Sequence, residues 1–332
     1  MDHSLKNKNL GQTIADGFKQ MFKSTAGMVF IVTILLTLVV HVATGGNFYT
    51  AYNFSTFTRA ASFTIIIGFA QTLVLLLGGI DLSVASIAGL CSMIFAMLVL
   101  KMGVNPYVAI VIALIAGVGM GAVNGLFICG LRLTPFIVTL ATSALFRGIV
   151  YVATQGFPLT GIPESVTVIG QGSLGFVPYP TIIMVGLAIL LILMLKFTSF
   201  GRHVYAVGGN EEASKIVGIR VNKTKMGVYC LAGVLSAVAG VLMVLRMGSS
   251  QVNIGENWVM PSITAAVLGG TSMNGGSGGI VGTIVGGLLM SSITYSISLT
   301  GISSYWDQVV TGMVVLVAIS IDAIRRTKQA SV

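Results

Sequence analysis

The stretch from Lys196 to Lys225, KFTSFGRHVYAVGGNEEASKIVGIRVNKTK, is a polar island between two long apolar runs, and it holds six of the chain's 18 Lys and Arg residues. It also carries the only adjacent acid pair, Glu211 and Glu212. Gly208-Gly209-Asn210 is a turn signal, and Glu211 to Val217 spells a short helix of about two turns. Read alone, such a loop is either a docking point for a soluble partner or a solvated segment whose charges only fix topology.

Outside this island the 332-residue chain is apolar: 55% of all residues are hydrophobic and 8% charged. Soluble chains carry about 25% charged residues, so a soluble domain is excluded. Thirteen of the 18 cations fall in three places: the N-terminal arm (Lys6, Lys8, Lys19, Lys23), the central loop and the tail (Arg325, Arg326, Lys328). A net charge of +9 arranged in this way marks membrane-flanking segments on the cytoplasmic side. No basic patch is interleaved with aromatics, so lipid rather than nucleic acid is the expected partner of these charges. Cys91, Cys129 and Cys230 lie scattered in apolar runs without metal-ligand spacing, and read as small core residues.

Residues 1–26 read as an amphipathic arm, with Leu10, Ile14, Phe18, Met21 and Phe22 at near-helical spacing. Apolar spans then follow over 27–42, 60–79, 82–100, 107–131, 135–155, 179–195, 226–245, 258–271, 280–299 and 303–321, which makes about ten. Six precede the central loop and four follow it, so the arm, the loop and the basic tail of residues 323–332 fall on one side. The fold class is therefore all-α: a polytopic membrane protein with both termini cytoplasmic and one membrane domain over 27–322. Gly117, Gly119, Gly121 and Gly125 are spaced for close helix approach. Gly156 to Pro178 is polar and lacks Lys and Arg, which suits an outer loop. A five-plus-five division would invert one half relative to the other, but the sequence echoes between the halves do not establish a repeat.

The charges inside this domain are few. Asp81, in Gly78-Gly79-Ile80-Asp81-Leu82-Ser83, is either a functional acid at membrane depth or, with Ser83, a cap for the helix that follows. Arg147 either packs within the bundle or meets solute. There is no Walker A motif, nucleophile elbow or catalytic carboxylate pair, so the chain does not read as an enzyme. Nor does it show a filter repeat or charge ring. With so few ionisable groups in its spans, the energy for transport is expected from another polypeptide.

The chain resembles the permease subunits of bacterial ATP-binding-cassette importers of the ribose type. The resemblance rests on Gly78 to Val84, Thr134 to Thr142, Phe200-Gly201-Arg202 leading to Ala206 to Glu211, Gly218-Ile219, and Ala265 to Ser272, in the family's order over residues 60–320. It implies a monosaccharide or similar small polyol as solute and location in the bacterial cytoplasmic membrane. It also implies a cytoplasmic ATPase that binds ATP-Mg, a periplasmic or lipoprotein sugar-binding protein, and a second permease copy or paralogue. No cofactor or metal is expected in this chain itself. Gly208 to Gly218 is implied to be the coupling helix, with Gly201, Gly208, Gly209, Asn210, Glu211, Glu212, Ala213 and Gly218 as docking residues. Where many ribose-type members have Glu-Leu-Asp, this chain has Val259-Met260-Pro261, and the form Met260 to Ala266 is similar to permeases for autoinducer-2 and some deoxysugars. A self-contained secondary carrier is the reading from another class. Asp81, Asn124, Thr139 and Arg147 are the expected translocation-path residues, each with packing or capping as the alternative.

Overall fold

The computed structural model describes residues 25–303 and 305–330; the expected amphipathic arm lies outside the described residues, apart from the two residues that open the first helix. Helices follow in order: α1 (Thr25–Ala43), α2 (Ala51–Leu76), α3 (Val84–Leu100), α4 (Pro106–Gly130), α5 (Pro135–Thr154), α6 (Glu164–Gln171), α7 (Tyr179–Phe197), α8 (Ser199–Gly209), α9 (Glu211–Ile216), α10 (Val221–Met247), α11 (Val259–Leu268), α12 (Ile280–Leu299) and α13 (Trp306–Ala330). Among the described residues seven helices are long and apolar enough to cross a membrane, and α3, α11 and the first part of α13 are shorter apolar helices. An all-α, multi-pass membrane protein is the result.

Helix starts follow local chemistry. Pro106 and Pro135 sit in the first turns of α4 and α5, where no amide donor is needed. Asn105 caps α4 by accepting the Tyr107 amide at 3.0 Å, and Thr50 caps α2 by accepting the Asn53 amide at 3.3 Å. That cap lets α2 begin nine residues before the apolar run expected from residue 60. The outer loop is more ordered than a polar linker. It contains β1 (Leu159–Thr160), α6 and the hairpin of β2 (Ser173–Leu174) and β3 (Val177–Pro178), and β1 pairs antiparallel with β4 (Ser249–Ser250). Through β1 and β4 it is stitched to the end of α10.

Two helices organise the bundle. Of the seven long spans, α2 and α10 are the most enclosed. They are packed crosswise: α10 lies on α3 and α4 of the first half, whereas α2 lies on α11 and α12 of the second. Within each half the neighbours recur, since α3 packs on α4 and α5 as α11 packs on α12 and α13. The internal repeat that sequence echoes do not establish is thus present as a packing pattern. The leading spans depart from it, α1 lying on α12 and α7 on α2.

The α4–α10 contact is made by glycines. A Cβ on Gly121 would fall on the Tyr229 carbonyl, one on Gly125 would lie 2.6 Å from Met226 Sδ, and one on Gly117 would lie 2.7 Å from the Ala237 side chain. Gly119, on another face, has nothing within 4 Å. The fourth expected glycine is therefore not part of the contact, because residues four apart share a helix face and a residue two apart does not.

Gly121→Leu is expected to lower the thermal midpoint of the detergent-solubilised protein strongly, by an overpacking cost of ~1–3 kcal/mol or more. Gly119→Leu is expected to leave it unchanged. Equal effects in a size-exclusion melting series would remove the close approach as a determinant of the fold.

Candidate functional site

At the end of α2, Gly78 takes the left-handed conformation (φ +75°), and the amides of Gly78 and Gly79 return to the carbonyls of Leu75 (2.8 Å) and Val74 (3.1 Å). The chain then drops through Ile80-Asp81-Leu82 before α3 starts. Asp81 is 1% exposed. Its Oδ1 accepts the Ser83 amide at 2.7 Å and the Ser83 hydroxyl at 2.6 Å, so the acid side chain, and not Ser83, ties down the first turn of α3. Of the two sequence readings of Asp81, this geometry is that of the cap, and the capping side chain is buried within the bundle.

Ser83 passes the network on. Asn124 Nδ2 of α4 donates to Ser83 Oγ at 2.7 Å, and Thr142 Oγ1 of α5 donates to Asn124 Oδ1 at 2.7 Å. Thr139, one turn earlier on α5, accepts the Leu82 amide at 3.1 Å, and Gln71 Nε2 of α2 donates to the Asp81 carbonyl at 3.0 Å. Four helices thus converge on one non-helical step. Asp81, Asn124 and Thr139 are brought together; Gln71, Ser83 and Thr142 complete the set. Gln71 had a sequence signal, as the sole amide in the charge-free run from Ala60 to Gly79. Thr142 had a weaker one, three residues after Thr139. The network leaves Asp81 Oδ2 and Gln71 Oε1 buried without a hydrogen-bond partner, and the links it does make hold the backbone in place, because breaking any of them leaves a further buried group unpaired.

Arg147 lies elsewhere. Its guanidinium pairs with Glu256 at 3.1 Å near the far end of the bundle, with side chains 29% and 50% exposed. Arg147 therefore stands apart from Asp81, Asn124 and Thr139 and has its own acid, supplied by the loop after α10, which sequence spacing does not show.

The basic loop is two short helices and two tight turns. Thr198 caps α8, which the sequence did not announce, by accepting the Gly201 amide at 3.1 Å. Asn210 caps α9 by accepting the Ala213 amide at 2.9 Å. Gly218 (φ +84°) closes α9, its amide bonding to Lys215 O and that of Ile219 to Ser214 O, both at 3.0 Å. The eight expected docking residues divide by environment. Gly201 packs on the Leu195 carbonyl and Gly208 on the Leu76 carbonyl. Gly209 has open space, Asn210 and Gly218 end the helix, and Glu212 and Ala213 are exposed. Glu211 is an anchor, pairing with Lys225 of α10 at 2.6 Å and with Lys215 at 3.2 Å. The hydrogen bond from Lys225 holds the Glu211 carboxyl below the ordinary carboxylate range. The outermost side chains of α9 are apolar: Ile216 is 87% exposed and Val217 75%. Their adjacency within a charged stretch was the signal the sequence offered for them.

Gly208 is the join between this loop and the bundle. The Leu76 carbonyl, free at the end of α2, accepts the Gly276 amide at 3.0 Å. A Cβ on Gly275 would lie 2.7 Å from the Gly208 carbonyl and 2.7 Å from the Gly78 amide. Tyr205 of α8 donates to the Gly278 carbonyl at 2.9 Å. The ends of α2 and α8 and the glycine loop before α12 therefore touch backbone to backbone.

A crosswise helical bundle with a capped, protruding helix on its basic face and a buried polar step beneath it is the architecture of a membrane permease. Residues 53–319 match the family described as branched-chain amino acid transport system / permease component. The chain belongs to that family, as a permease of the ribose-import type. It is 39% identical to the ribose import permease protein RbsC of Bacillus subtilis (strain 168), over 92% of this chain and 94% of that one. It is likewise 39% identical to the ribose import permease protein RbsC of Escherichia coli (strain K12), over 90% of this chain and 92% of the relative. The xylose transport system permease protein XylH of Haemophilus influenzae is 30% identical over 92% of this chain and 99% of its own length. No solved structure matches the chain.

Ser83→Ala removes the hydroxyl that links Asp81 to Asn124 and is expected to cost ~1–3 kcal/mol, read as a lower thermal midpoint. Arg147→Ala, which breaks an exposed pair, is expected to change stability by less than ~1 kcal/mol. Because the Glu211 carboxyl titrates below its unfolded value, the anchoring of α9 is complete above the ordinary carboxylate range and is lost as pH falls through the depressed folded value. Hydrogen exchange at α9 amides, corrected for intrinsic rates, is expected to be flat from neutral pH to about 5 and to rise only below it. An increase at pH 6 would show that Glu211 does not hold the helix.

Proposed function

We propose that the chain is the membrane-spanning subunit of an importer for a monosaccharide or similar small polyol, driven by a separate ATPase that binds ATP-Mg on the cytoplasmic side. The solute class is carried over from the ribose and xylose permeases to which the chain is similar over nine-tenths of its length. In this reading the seven long and three shorter apolar helices are ten spans, with the basic loop and both termini in the cytoplasm. A periplasmic or lipoprotein binding protein delivers solute to the opposite face, and a second permease copy or paralogue completes the pathway.

One observation carries the mechanism. The exposed Ile216 and Val217 tip sits on a helix capped at both ends, and α8 behind it meets the end of α2 without intervening side chains. An apolar knob rimmed by Glu212, Lys215 and Arg220 suits a groove in a soluble subunit. Motion of that subunit would pass through α8 to Leu76 and Gly78, and from there to the step held by Asp81, Ser83, Asn124 and Thr139. Solute passage then follows from rigid-body displacement of α2 and its partners. ATP hydrolysis belongs to the partner.

The test is co-purification with a candidate ATPase subunit, together with uptake of labelled ribose. Ile216→Asp with Val217→Asp is expected to release the ATPase and to reduce uptake at least about tenfold, with the melting curve unchanged. Retention of the ATPase by this variant would place docking elsewhere. If the wild-type protein retains no ATPase and still transports, a self-contained carrier replaces the importer.

A further inference from the structure

At the end of the bundle that carries the basic loop, a groove of about 330 Å³ opens between α7 and α12. Ile192, Leu195 and Lys196 of α7 form one wall; at three- and four-residue spacing they share a helix face. Ile280 and Val281, in the first turn of α12, line the other side, and Tyr205 of α8 also borders the space. Gly279 keeps it open. A Cβ there would have the Tyr205 hydroxyl, at 3.8 Å, as its nearest neighbour.

The surroundings of the groove say what enters it. Leu193 and Phe197, in the last turns of α7, and Val281 are exposed, as lipid-facing residues of a spanning bundle are. Lys196 is the one charged residue lining the space. Among the described residues it takes part in no ion pair, and its ammonium lies 5.4 Å from the centre of the Phe197 ring. A lysine in the last turn of a span lays its stem along apolar surface and holds its charge at headgroup level. Hydrocarbon walls below an uncompensated cation match an amphiphile with an anionic head. A sugar would find no carboxylate or amide side chain among the lining residues. Residues 1–24 carry four Lys against two Asp, so that arm would bring like charge to Lys196.

We propose that this groove binds one anionic phospholipid of the leaflet on the side of the basic loop. Its phosphate meets Lys196, and the start of one acyl chain lies between Ile192 and Leu195 on one side and Ile280 and Val281 on the other. Basic pockets between spanning helices on the cytoplasmic side suit such headgroups, because anionic lipid is held there by charge and hydrocarbon together. The groove is too small for a whole lipid, so the rest of the molecule stays in the bilayer. Tyr205 donates to the Gly278 carbonyl at 2.9 Å, which places the bound lipid against α8, the helix that joins α9 to the bundle. The site is independent of the importer reading and of the solute.

The full-length protein, purified in a neutral detergent, is titrated with phosphatidylglycerol, phosphatidylcholine or glycerol 3-phosphate, and bound molecules are counted by native mass spectrometry. The first phosphatidylglycerol is expected to bind at least about fivefold more tightly than the first phosphatidylcholine, the preference that one lysine confers at a membrane surface. Lys196→Gln is expected to remove that preference and Lys196→Arg to keep it. Lys223→Gln, at an exposed cation of the same loop, is expected to leave it unchanged. Gly279 is extended (φ 170°), so Gly279→Leu is unstrained; it fills the groove and is expected to lower phosphatidylglycerol binding to the level of phosphatidylcholine. Lys196 is exposed, so its variants report on the site even where Gly279→Leu does not fold. Equal affinities for the two lipids, as residues 1–24 seated in the groove would give, would overturn the proposal. So would a preference that survives Lys196→Gln, or one that survives in a folded Gly279→Leu protein. Glycerol 3-phosphate binding as tightly as the lipid would make this a site for free phosphate, and phosphatidylglycerol bound by the monomer but excluded from a dimer would assign the groove to a second copy; either result overturns the lipid site.

Discussion

The Leu76 carbonyl is the contact on which the mechanics of the molecule depend. The last carbonyls of any helix lack an intrahelical donor, and inside a membrane protein they must find one. Here the donor is the Gly276 amide, and Gly208 closes over the same oxygen from the other side. Three segments far apart in sequence meet at one point because none of them has a side chain there. A methyl group at Gly208 would fall on that carbonyl, so the junction needs backbone and nothing else. Its result is a stiff joint between the exposed α9 and the longest-buried helix of the bundle.

Beyond the joint, the bundle is held by the forces available when water is absent. Lipid tails are as apolar as leucine, so burial of hydrocarbon gives helices little reason to associate; close packing and interhelical hydrogen bonds do. Both are present in complementary places. The Gly117, Gly121 and Gly125 stripe brings α4 against α10, while Asp81, Ser83, Asn124, Thr142 and Gln71 tie α2, α3, α4 and α5 to one another. The network sits where the chain leaves helical geometry, and it satisfies backbone groups that helix formation would otherwise have covered.

Charge is handled differently at the two ends. On the basic face, Lys215 and Lys225 are compensated by Glu211 and Glu212, which fix the shape of α9 without neutralising the loop as a whole. At the far end Arg147 has Glu256, and the Arg246 guanidinium lies over the Phe63 ring, which stacks on Trp258. Positive charge in the loop is a topological signal read by the membrane.

Residue composition and order determined that this is an all-α membrane protein, approximately where its apolar spans run, and which loop carries the short helix, because hydrocarbon burial and helix capping act over a few neighbouring residues. Ile280–Leu299 and the start of α5 at Pro135 were legible to the residue for that reason. Asp81, Asn124 and Thr139 were also legible as polar residues of a charge-poor domain. The partners of each residue were not. That Arg147 belongs to Glu256, that Glu211 pairs with Lys225, that Ile216 and Val217 form the outer tip, and that Arg246 lies over Phe63 are decided by how the helices pack between halves of the chain. Sequence neighbours set the conformation of each helix, whereas only the crosswise packing of α2 and α10 decides which buried groups face one another.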